Sequence, residues 1–235
     1  SENKALSDYR KAISAWRNKP MRSASNSLLL TPFVGEREAV KSVLIVGLGG
    51  LGGHTLKHFR EYSQYHVHSC AVDTNAQDLS NIKATYRILL GKDQLGGLGT
   101  GIDPVISAKF VKEALPEFEQ FLELHQYKMV LIVAGAGGGT GSGALPALSR
   151  HLKTKSIPSY SYLTLPFNFE GKKKNHIAHT MLTELHDNEP NLFIADLQEV
   201  LNNTPHIGFK DALNSCLLKI QVSIENHIQA YLNKG

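Results

Sequence analysis

The chain has 235 residues, enough to bury a full core, and one large α/β domain is the simplest arrangement for that length. Its apolar content of 42% and charged content of 20% are those of a water-soluble globular protein, and no apolar run approaches the roughly 18–20 residues of a membrane span. The formal charge of +4 comes without a basic stripe carrying interleaved aromatics, so it gives no ground for a nucleic-acid partner. The chain opens on Ser1, read as a processed start or a chosen boundary, and lacks the basic–apolar–small order of a signal peptide. Cys70 and Cys216 stand in apolar stretches without metal-ligand spacing and read as reduced core residues of a cytoplasmic protein.

Residues 1–40 read as an extension and 41–235 as the domain proper. In the extension, Ala5–Trp16 puts Leu6, Tyr9, Ile13 and Trp16 at helical spacing, and the basic, Ser/Asn-rich Asn18–Ser27 reads as a linker. It either packs on the domain or acts as an arm that grips a neighbouring subunit. From Ser42 onward, strands, glycine turns and helices alternate. Val43–Val46 is an apolar strand, Gly47–Gly53 a loop, and a helix runs to about Tyr62. His66–Val72 is a strand, Ala76–Lys83 a short helix, Arg87–Leu90 a third strand and Gly96–Gly101 a second glycine loop. Pro104–Glu123 is a long helix, Met129–Ala134 a fully apolar strand, and Gly135–Gly143 a third loop before a helix at Ala144–Lys153. Ser159–Leu165 and Leu192–Ala195 are strands, Lys172–Leu185 a helix, and Phe209–Leu232 a long final helix. This alternation predicts an α/β fold with a mostly parallel sheet covered on both faces, whose ligands bind at the carboxyl ends of the strands.

The glycine loops sit at that edge. Gly47-Leu48-Gly49-Gly50-Leu51-Gly52-Gly53 follows a strand and opens a helix, whose N-terminal N–H groups and dipole favour an anion. With Asp73 ending the next strand it fits a dinucleotide fingerprint. Alone it supports an NAD-type fold, an adenylating enzyme or a ligand-free tight turn. The run Gly135–Gly143 is harder to explain by packing, because so many glycines disfavour regular structure. Its N–H groups can form an anion nest, to which Thr140 and Ser142 add hydroxyl donors. Two phosphate loops, with a third at Gly96–Gly101, suggest a nucleoside di- or triphosphate. No G-x-x-x-x-G-K-[ST] is present.

The run GGGTGSG at Gly137–Gly143 matches the loop that marks the tubulin/FtsZ superfamily, and the sequence resembles that superfamily in order over about residues 42–228. Gly47–Gly53 is similar to its first phosphate loop, with His54 where the bacterial proteins carry Asn. Asp73-Thr74-Asn75-Ala76-Gln77 resembles N-T-D-A-Q with Asp and Asn exchanged. Gly97–Pro104 resembles G-L-G-A-G-A-D-P, and Pro166–Lys174 resembles P-F-x-F-E-G-x-x-R. The bacterial FtsZ branch fits better than the eukaryotic tubulins.

The resemblance implies a Rossmann-like three-layer domain that binds GTP or GDP, with Mg²⁺ as an accompanying ion, and that self-associates. It places phosphate contacts at Gly47, Gly49, Gly50, Gly52 and Gly53, at Gly99, Thr100 and Gly101, and at Gly137, Gly138, Gly139, Thr140, Gly141 and Ser142. Glu170 would hold the ribose hydroxyls, Lys174 stands for the family's Arg, and Asn214 lies near the position from which Asp or Asn reads guanine. No catalytic residue or metal ligand is assigned. Ala195-Asp196-Leu197-Gln198 departs from the family's I-P-N-D. The acidic loop N-x-D-x-x-D, which completes hydrolysis on the adjoining subunit, would fall beyond Gly235. The expected protein is therefore a truncated or naturally short FtsZ-like chain and a weak GTPase alone. A non-polymerising GTP/GDP module and a dinucleotide or adenylating enzyme are the competing readings. Among single residues, Lys172–Lys174 is a solvated charge run or a phosphate-facing one, His54 a capping or packing residue, Asp196 a cap and Asp211 a surface charge.

Overall fold

The computed structural model describes residues 32–189, 191–204 and 206–234. The readings at Ala5–Trp16 and Asn18–Ser27 lie outside them. Among the described residues, six strands form one sheet: β1 (Glu38–Leu48), β2 (Tyr65–Asp73), β3 (Tyr86–Leu89), β4 (Met129–Gly135), β5 (Ser159–Leu165) and β6 (Leu192–Asp196). Their order is β3-β2-β1-β4-β5-β6, and every neighbouring pair is parallel. The connections are helical: α1 (Gly49–Tyr62), α2 (Ala76–Ser80), α3 (Lys92–Leu95), α4 (Pro104–Leu124), α5 (Gly139–Thr154), α6 (Lys172–Asn188), α7 (Leu197–Asn203) and finally α8 (Phe209–Leu232).

Alternation along the strands builds the three layers. Leu44, Val46 and Leu48 of β1 join Phe110 and Val111 of α4, Leu145 of α5 and Met181 of α6 in one core. Val43 and Ile45 face the other way, onto Leu56 and Phe59 of α1, Val200 of α7 and Cys216 and Ile220 of α8. Both cysteines are free and buried, and burial pushes each thiol up to about 12. Among the described residues, no helix is long and apolar enough to cross a membrane.

Three readings change. Strand β1 begins at Glu38 rather than Val43, because its polar start pairs Glu38–Val40 with Tyr65–Val67 before a register shift ahead of Leu44. Helices α3 and α7 were not expected from the sequence; each is at most two turns long, too short for its apolar spacing to stand out. Most importantly, the glycine runs are half helical: α1 starts at Gly49 and α5 at Gly139. Packing explains these helical glycines. A Cβ on Gly52 would lie 2.8 Å from the Val133 carbonyl oxygen, and one on Gly143 would lie 1.9 Å from that of Pro104. Packing thus accounts for the helical glycines, whose helices are laid against backbone so that tertiary contact outweighs glycine's poor helix propensity, while an added Cβ on Gly138 would meet nothing within 4 Å.

Candidate functional site

Strands β1 and β4 are neighbours whose connections run to opposite sides of the sheet, and the carboxyl ends beside such a switch point form a crevice. A cavity of about 810 Å³ opens there. It spans from Asp73 of β2 to Leu197 after β6. From β2 to β6 this covers four strand spacings, roughly 19 Å.

Two helices aim their first turns into it. Gly49, Gly50 and Leu51 of α1 line the cavity, as do Gly139, Thr140 and Gly141 of α5. The N–H groups of a first turn have no intrahelical partner, so both helix starts present backbone donors at the edge of one space. Gly49 has φ +70°, a turn that an L side chain strains to make, and an added Cβ would meet the Gly141 nitrogen at 3.2 Å. Gly50, Gly101 and Gly138 face open space.

The loops are fastened to one another. Asp73 is 4% exposed, and its Oδ1 accepts from the Thr74 N–H at 2.7 Å, the Asn75 N–H at 3.2 Å and the Thr140 hydroxyl at 3.0 Å. Thr74 and Thr140 share a hydroxyl contact of 2.9 Å. Burial raises the Asp73 pKa, Asp78 adds to the rise, and the three donated bonds oppose it. Asn75 caps α2 by accepting from the Gln77 and Asp78 N–H groups. The loop after α3 is held by Gly99 N–H to the Thr74 carbonyl at 3.1 Å and by Ala76 N–H to Gly97 at 2.9 Å. Asp103 caps α4, with Pro104 in its first turn, so the Gly101–Pro104 run is also a helix start. The Ser107 hydroxyl donates to the Gly139 carbonyl at 2.7 Å, tying α4 to the head of α5.

Glu170 closes the middle of the cavity. Its Oε1 accepts from the Phe167 N–H at 2.9 Å and its Oε2 from Lys174 Nζ at 3.0 Å, one helical turn away. Beyond it Phe167, Phe169 and Phe209 form an aromatic group, with centroids 4.9 Å apart for Phe167–Phe169 and 4.7 Å for Phe169–Phe209.

The structure brings together eleven of the expected residues on the cavity lining: Gly49, Gly50, Gly99, Thr100, Gly101, Gly138, Gly139, Thr140, Gly141, Glu170 and Lys174. The others stand elsewhere. Gly47, Gly52 and Gly53 pack α1 against β1, β4 and Ile82, and Gly137 packs against the start of α6. Ser142 turns away to accept the Gly137 N–H at 2.9 Å. Asn214 is not on the lining; Phe209, Lys210 and Leu213 are the α8 residues that reach it, because a helix brings positions one turn apart to the same face. The Thr140 hydroxyl, expected to face a ligand, donates to Asp73 instead. Residue types alone did not show Asp73 as a clamp or Lys210 and Leu213 as lining. His54 lies exposed on α1, and Asp196 caps α7 by accepting the Gln198 N–H at 2.9 Å.

The family described as Tubulin/FtsZ family, GTPase domain, matches residues 42–204. The chain belongs to that family. It is 34% identical to the cell division protein FtsZ of Helicobacter pylori over 160 residues, which is 68% of this chain and 41% of that protein. It is 34% identical to cell division protein FtsZ 1 of Pyrococcus abyssi over 176 residues, 74% of this chain and 47% of that one. An FtsZ dimer from M. jannaschii superposes with a TM-score of 0.70 at 28% identity, covering 79% of this chain and 53% of its own. A GDP-bound CetZ1 monomer from Haloferax volcanii does so with a TM-score of 0.66 at 25% identity, covering 77% and 58%. The chain spans about half the length of the relatives it matches or less. Membership removes the dinucleotide and adenylating readings, which the sheet order alone would have allowed.

Proposed function

We propose that this chain is the nucleotide-binding part of an FtsZ-type assembly protein and takes GTP or GDP in the cavity at the carboxyl edge of the sheet. The observation that carries the reading is the convergence of the α1 and α5 first turns and the Gly99–Gly101 loop on one space about 810 Å³ in volume. Backbone donors of Gly49, Gly50, Gly138, Gly139, Thr140 and Gly141 would hold the phosphates, with Thr100 and Gly101 at the terminal one. Glu170, kept in place by Lys174, would accept from the ribose hydroxyls.

Mg²⁺ is commonly held by one or two carboxylates, phosphate oxygens and water. Among the described residues, no group of three or more His, Cys, Asp or Glu could hold a metal. The lining carries the carboxylates Asp73, Asp78 and Glu170, of which Asp78 is the exposed one and would be open to a phosphate-held ion. Such an ion would neutralise phosphate charge.

A second reading is a module that binds nucleotide without polymerising alone. Calorimetry with GDP and GTP tests the shared claim: a Kd of roughly micromolar or tighter is expected. Absence of binding by both nucleotides at about millimolar concentration sinks it.

A further inference from the structure

We infer that Lys210 selects the base in this cavity, and that it does so through the 6-oxo edge of a purine without sensing the 2-amino group. The inference rests on the nucleotide reading of the same site. With phosphates at the heads of α1 and α5 and the ribose at Glu170, the base lies toward Phe167, Phe169, Leu197, Phe209 and Leu213. Phe169 and Phe209 are 58% and 60% exposed, apolar area that a flat ring can cover. None of these side chains offers a hydrogen bond.

Lys210 is the polar side chain on this stretch of the lining, exposed in the first turn of α8. An ammonium donates three hydrogen bonds and accepts none. The unpaired first-turn N–H groups of α8 add donors of the same kind. A donor-only wall matches the O6 and N7 acceptors of guanine and opposes the N6 amino group of adenine. Recognition of the N1–H and 2-amino edge needs an acceptor. Asn214 is off the lining, its neighbour Leu213 has none to give, and the acceptor capacity that Glu170 keeps beside its Phe167 and Lys174 bonds goes to the ribose hydroxyls. Inosine carries O6 and N7 and lacks only the 2-amino group, so it presents the recognised edge complete.

The test is calorimetric titration of the 235-residue chain with GTP, ITP and ATP, repeated on Lys210→Ala and Leu213→Asn. ITP is expected within about threefold of GTP, and ATP about tenfold or more weaker, the size of one lost base contact. Lys210→Ala should narrow the gap between GTP and ATP to within about threefold. Leu213→Asn, which supplies the missing acceptor, should make GTP bind about tenfold more tightly than ITP. Wild-type preference for GTP over ITP by tenfold, or an unchanged GTP-to-ATP ratio in Lys210→Ala, overturns the inference while leaving the nucleotide site standing. Failure of all three nucleotides to bind the wild-type chain overturns the site itself.

Discussion

Gly138 shows how far one residue separates folding from binding. It is the N-cap of α5, with φ −87° and ψ 167°, and an added Cβ meets nothing within 4 Å. Gly138→Asp places a good capping residue there, so stability should stay level or rise by roughly a few tenths of a kcal/mol. The same carboxylate enters the space proposed for phosphate, where like charges 4 Å apart repel by about 4 kcal/mol at an effective dielectric of 20. GDP affinity should fall about a hundredfold or more while thermal melting is unchanged. Retained affinity would remove α5 from the site. Asp73 makes the opposite trade. Burial raises its pKa above the unfolded value, so ionising it costs stability above that folded pKa and costs nothing below the unfolded one. Asp73→Asn keeps an Oδ1 acceptor for Thr74 and Asn75 and removes the charge. The variant should be more stable than the parent at pH 7, and the advantage should vanish as pH falls through the folded pKa of Asp73. Urea unfolding at pH 7 and at successively lower pH checks this, and a pH-independent difference would contradict it.

At the scale of elements, the strands, the long helices and the carboxyl-edge location of the site were readable because apolar period and punctuation are local. Ser159–Leu165 and Phe209–Leu232 fall where the pattern places them. The glycine runs were misread in structure though not in place, since a glycine needed for a loop and one needed for close helix packing look alike in sequence. Gly143 makes the difference measurable. Alanine favours a helix over glycine by about 1 kcal/mol, whereas overpacking costs about 1–3 kcal/mol and sometimes more. Here an added Cβ would meet backbone oxygen of Pro104 at 1.9 Å and Ser107 Oγ at 2.2 Å, neither at the end of a flexible chain. Gly143→Ala should therefore lower stability by about 2 kcal/mol, a Tm drop of about 4–8 °C for a chain this size. A rise in Tm would show that α4 and α5 can separate freely.

For the whole molecule, the expected behaviour of the 235-residue chain follows from the groups that line its proposed site. Phosphoryl transfer depends on positioning and on a group that orients the attacking water. The proposed site offers backbone donors, and the carboxylates Asp73 and Glu170 are already bonded to their own neighbours. With GTP bound, the 235-residue chain should release phosphate slowly, with no rise in rate per subunit as its concentration increases. Head-to-tail contacts that do not close build open filaments. Phosphate release measured at several concentrations, with pelleting alongside, decides it. Turnover that accelerates with concentration would place the water-orienting group within this chain, and Asp196 and Glu225 would be the first to replace.

By itself the sequence determined the family, the α/β alternation and the three glycine turns, because motifs and periodicity are properties of neighbouring residues. Only the tertiary structure decided which glycines face the cavity and which pack helices, that the Thr140 hydroxyl is spent on Asp73, and that Lys210 and Leu213 rather than Asn214 line the cavity. Those outcomes depend on helix rotation and on contacts between segments 60 or more residues apart, such as Asp73 with Thr140, separated by 67 positions. A helix turned by one residue moves a side chain through about 100°, from lining a site to leaving it.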